Sequence, residues 1–71
     1  MKYLITEELL LAYIKSFLPY QKVKSLAEVS EHDVKIFTKE LHRQIKRDGI
    51  EAVKRQIRNM AVYYKMELKN L

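Results

Sequence analysis

The 71-residue chain carries 14 Lys and Arg against 9 acids, a formal charge of +5, with 48% hydrophobic residues and no cysteine. The lack of cysteine excludes disulfides and thiolate metal sites as sources of stability. One glycine and one proline in so apolar a chain argue against disorder and for a compact helical domain. At this length a single domain, 1–71, is expected; it would bury only about 60% of its unfolded surface and be marginally stable alone. The charge is uneven: residues 1–34 hold four Lys against five acids, and residues 35–71 hold ten Lys and Arg against four.

Residues 1–5 form a short apolar lead, and Glu7 and Glu8 stand where a signal peptide would need its apolar core. The longest apolar run, Leu9 to Ile14, falls far short of the roughly 20 residues that span a bilayer. The expectation is a soluble, cytoplasmic protein with no membrane partner. Thr6 is placed to cap a first helix near 6–18, with Ile5 and Leu10 as its hydrophobic staple. That helix is apolar nearly all round, as a central core element is. Its end is expected before Pro19, because the residue preceding a proline disfavours helical geometry. Pro19 then suits the first turn of a short second helix near 19–29, carrying Tyr20, Val23, Leu26 and Ala27.

The pattern is clearest from Ser30 onward. Ser30 is a good N-cap, Asp33 stands in the capping-box position, and Lys46 and Arg47 suit the negative end of the helix dipole. Gly49 fits a left-handed Schellman-type ending with Ile50 against Ile45, giving a third helix near 31–48. Val34, Phe37, Leu41 and Ile45 make its apolar stripe, and Lys35, Lys39, Arg43 and Lys46 a basic one. A fourth helix near 50–69 puts Ile50, Val53, Ile57, Met60, Ala61, Tyr64 and Leu68 inward. Asp48 with Glu51 offers this helix a capping box, which conflicts with Asp48 ending the previous one. The sequence therefore predicts an all-α compact bundle of about four helices with a long C-terminal pair, meeting as a hairpin or a sharp corner.

Catalytic chemistry leaves little trace. The carboxylate pairs Glu7/Glu8 and Glu31/Asp33 lie at helix starts, where capping and the dipole explain them. His32 and His42 have no partner at metal-ligand spacing, and a single glycine cannot build a phosphate-cradling loop. The expectation is a non-enzymatic protein without metal or cofactor.

The basic stripes are the functional lead. Four arginines, 43, 47, 55 and 58, fall within sixteen residues, and the guanidinium fork suits phosphate. This makes Lys35, Lys39, Arg43, Lys46, Arg47, Lys54, Arg55 and Arg58 a candidate nucleic-acid-binding set, with transcriptional control as one use. A solvated lysine-rich face explains the same pattern without function. Lys22 to Leu41 also suggests a helix-turn-helix, with Ser30 opening the recognition helix, although its usual turn glycine is absent. The alternative is an adaptor or inhibitor that docks an acidic protein, with Val62, Tyr63 and Met66 as an outward apolar contact for that partner or for a homodimer. Ile36 lies outward in the same way on the preceding helix.

Glu8-Leu9-Leu10-Leu11 with Tyr13 and Lys15, and later Ile45-Lys46-Arg47, resemble stretches of small helical-hairpin inhibitors of sporulation histidine kinases. The spacing within the first stretch is one residue off and the intervening segment is longer, so no role is carried across. In size, charge and composition the chain also resembles phage or mobile-element accessory proteins.

Overall fold

The computed structural model describes residues 5–66, which form an all-α domain of three helices. Helix α1 spans Glu7–Lys15, α2 spans Glu31–Asp48 and α3 spans Ile50–Tyr64. As the sequence predicts, Thr6 caps α1, its Oγ1 accepting from the Leu9 N–H at 3.1 Å. Helix α1 ends at Lys15, three residues before the expected stop at Leu18, because Phe17 adopts an extended backbone.

The expected helix near 19–29 does not form. Its place is taken by two single 3-10 turns, Leu18–Tyr20 and Leu26–Glu28. Pro19 does open a turn, but Ser25 is extended at φ −153° and interrupts any helix. The Glu28 carboxylate holds that break by accepting from the N–H groups of Lys24 and Ser25, at 2.9 and 3.2 Å. Without a first helix over these residues, the helix-turn-helix reading of Lys22 to Leu41 has no scaffold. The bundle therefore has three helices rather than four.

Helix α2 matches its expected bounds. Ser30 Oγ accepts from the Asp33 N–H at 3.1 Å. The Asp33 carboxylate accepts from the Tyr20 hydroxyl and so ties the irregular segment to the first turn of α2. A single residue, Gly49, separates α2 from α3. Helices packed side by side lie about 8–10 Å apart, and hairpins use loops of about 2–5 residues, so one residue cannot return the chain antiparallel. The two helices meet at a corner.

Gly49 has φ 89° and ψ 149°, an extended positive-φ conformation rather than the left-handed one expected. No atom lies within 4 Å of where a Cβ would stand. Backbone geometry alone therefore calls for glycine here. Asp48 stays the last residue of α2 and pairs with Arg47, so of its two expected roles the capping of α3 gives way.

A Schellman ending does occur, at the other end of α3. Lys65 is left-handed at φ 56°, the Met66 N–H reaches the Ala61 carbonyl at 2.8 Å, and the Lys65 N–H reaches Val62 at 3.2 Å. The expected run to residue 69 thus stops at Tyr64, and its final residues, 67–69, lie outside the described ones.

The core joins all three helices. Ile14, Leu41 and Val53, one from each, are the largest fully buried side chains, with Leu9, Leu10, Tyr13, Ile45 and Ile57 around them. Phe37 of α2 sits among three rings, those of Tyr13, Phe17 and Tyr20, at centroid separations of 6.1, 5.1 and 5.5 Å. Gln44 Nε2 donates to the Tyr13 hydroxyl oxygen at 3.0 Å.

Candidate nucleic-acid interface and an apolar groove

The 3.6-residue period sets where the basic side chains point. Taking Leu41 as the inward direction of α2, Lys35, Lys39, Arg43 and Lys46 lie roughly 120–200° away from it, on the outer face. All four are exposed. On α3, Arg55 lies roughly 160° and Arg58 roughly 100° from Ile57, whereas Lys54 lies about 60° away and flanks the core. Arg55 and Arg58 are exposed, and Lys54 is half-buried.

The eight cations do not form one equivalent set. Arg43 holds Glu40 in a two-pronged bond, 2.9 and 2.8 Å, one turn away on α2. Arg47 holds the Asp48 carboxylate at 3.2 Å through both Nε and its terminal nitrogen. Hydrogen bonding to Asp48, then the charge of that carboxylate, raises the Arg47 pKa above its ordinary value. Lys35, Lys39, Lys46, Lys54, Arg55 and Arg58 make no ion pair within the described residues. These six are the cations with charge to offer a ligand.

The proposed apolar contact divides as well. Val62 and Tyr63 are 79% and 76% exposed, but they sit about 100° apart on α3 and share no narrow stripe. Met66 is half-buried beyond the helix end. Ile36 is exposed, as expected, and falls among the basic residues of the outer face of α2.

A feature absent from the sequence reading lies between the end of α1 and α3. A groove of about 290 Å³ opens there, with Phe17, Leu18, Met60 and Tyr64 among its apolar walls and Gln44 and Gln56 among its polar ones. Its lining brings together residues from positions 13 to 64, so no local pattern announces it.

Among the described residues no three His, Asp or Glu side chains group as a metal would require, and no helix is long and apolar enough to cross a membrane. Comparison with protein-family models, curated proteins and solved structures finds no match to this chain.

Proposed function

We propose that this protein is a non-enzymatic nucleic-acid-binding domain that grips the phosphate backbone through the outer faces of α2 and α3. The observation that supports this most is the set of six cations that have no carboxylate partner among the described residues, Lys35, Lys39, Lys46, Lys54, Arg55 and Arg58. Arg43 and Arg47 stand exposed on α2 with three of these lysines but must first loosen Glu40 and Asp48. Both pairs are exposed, and such pairs are worth only about 0–1 kcal/mol, so phosphate can displace the carboxylates. Along α2, Lys35 to Lys46 spans roughly 16 Å at 1.5 Å per residue. A duplex carries one charge per roughly 1.7 Å of axis with both strands counted, so the same length of duplex carries about nine, of which those on the near side can be reached.

Binding to a labelled mixed-sequence duplex across a salt series tests the proposal. Full engagement of six cations gives a slope of log K against log salt of about −5. The double variant Lys39→Glu, Arg58→Glu should weaken binding by more than tenfold and flatten that slope while its helical circular dichroism stays unchanged. Wild-type binding that ignores salt, or variants that bind as well as the parent, would exclude the assignment. The exposure of Val62 and Tyr63 favours a second reading, an adaptor that docks an acidic protein. Under that reading Val62→Ser with Tyr63→Ser impairs function and leaves phosphate binding intact.

A further inference from the structure

The groove beside α3 differs in kind from the basic faces. Its walls include no charged side chain, in a chain where 32% of residues are charged. At one end Leu18 stands 66% exposed beside Phe17, itself 40% exposed. At the other end Tyr64 meets Tyr63 edge-on, with centroids 5.0 Å apart, so apolar surface continues from the groove onto an exposed ring. An open recess, a projecting aliphatic side chain and a flanking aromatic ring thus lie on one face of one molecule.

We propose that this face is where two copies of the chain meet, in a twofold pair in which Leu18 of each copy enters the groove of the other. Charge is the first argument. Each copy carries +5, so two copies repel wherever their lysines and arginines face each other, and a lasting contact needs a patch free of them. This lining is such a patch, since none of its residues carries a charge. Shape is the second. A twofold contact requires that the same surface supply both the projection and the recess that receives it, and Leu18 and the groove do so. Gln44 and Gln56 in the walls are neutral donors and acceptors, able to bond across the axis without a charge mismatch.

Stability is the third argument. A small domain with a thin core gains in stability from a partner that covers exposed apolar groups. A small-molecule occupant fits less well, since ligand sites usually measure about 300–1,000 Å³ and enclose most of the ligand. This groove stands at the lower edge of that range and is open to solvent.

Sedimentation velocity from micromolar to millimolar protein, at a salt concentration that strips nucleic acid, tests the proposal independently of phosphate binding. The wild type should move from monomer to dimer mass as concentration rises, and its melting temperature should rise with it. Leu18→Glu and Gln56→Glu each place a carboxylate at the groove of both copies. Both should weaken association at least tenfold with unchanged circular dichroism, and Gln56→Glu decides if Leu18→Glu disturbs the fold. Val62→Ser, on the opposite flank of α3, should leave the dimer as it is. A wild type that stays monomeric throughout overturns the proposal, as does a dimer that survives both groove variants or is broken by Val62→Ser alone.

Discussion

Helix α2 adds aromatic and polar contacts to its buried Leu41 and Ile45, whereas the buried residues of α3 are all aliphatic. On the α2 side, Phe37 packs near-perpendicular to Tyr13 and Tyr20, at 81° and 88°, and the two phenols reach Gln44 and Asp33. On the α3 side the buried residues are Val53, Ile57 and Ala61, and the covalent link is one glycine. Edge-to-face rings and hydrogen bonds are directional, so they fix how α2 sits on α1 and on the segment that follows it. Aliphatic burial is not directional, and it holds α3 in proportion to the area covered. The specificity of the fold therefore concentrates at α2, and α3 supplies bulk.

Truncation in either half should be severe. Ile57→Ala and Leu41→Ala each remove a buried side chain and should cost about 2–5 kcal/mol, close to all the stability a domain of this size has. Shape-changing swaps separate the halves. Ile57→Leu keeps its volume and should cost less than about 1.5 kcal/mol. Phe37→Leu loses three ring contacts, each worth about 0.5–1.5 kcal/mol beyond area, and should be the more damaging of the two in urea melts. Equal losses would mean that α2 is held by area alone, as α3 is.

The two positive-φ residues among those described bracket α3 and should respond in opposite directions. Gly49→Ala meets no steric obstacle but must hold φ 89°, and should cost about 1–3 kcal/mol. Lys65→Gly relieves a left-handed side-chain residue and should gain up to about 1 kcal/mol. In thermal melts each kcal/mol moves the midpoint by about 4–8 °C in a domain this small.

These contrasts also mark what the sequence could disclose. The caps at Thr6 and Ser30, and the bounds of α2, were legible because capping depends on neighbours within four residues. The segment 19–29 was not. Pro19 and Tyr20 suit a helical first turn and a 3-10 turn equally well, and the choice was made by Tyr20 reaching Asp33 and Phe37, thirteen and seventeen residues on. The end of α3 was missed because Lys65 takes a conformation that sequence patterns reserve for glycine or asparagine. For the candidate site, exposure of the basic stripe on α2 could be read from the helical period. The pairing of Arg43 and Arg47 with Glu40 and Asp48 is a choice among rotamers that no period encodes, and the groove needs three segments already folded together.

The smallest expected effect tests the polar half of the comparison by pH. Burial, then the negative charge of Glu40, holds the Tyr13 phenol above its ordinary pKa of 10.0, outweighing the opposite pull of Arg43, Gln44 and Arg47. The Tyr20 phenol is raised too, first by its hydrogen bond to Asp33. A raised phenol pKa means that above pH 10.0 the folded state holds protons that the unfolded chain has lost. Stability is then whole below that pH and falls as pH climbs through the folded values. Tyr13→Phe takes the acceptor from Gln44 and should cost about 0.5–1.5 kcal/mol at neutral pH. It also removes one of the two alkaline liabilities. The gap between the wild type and Tyr13→Phe should therefore narrow as melts are taken from neutral to strongly alkaline buffer. A gap that widens instead would mean that the Tyr13 oxygen is held for its charge rather than for its hydrogen bond, and the packing around Phe37 would then have to carry the register of α2 alone.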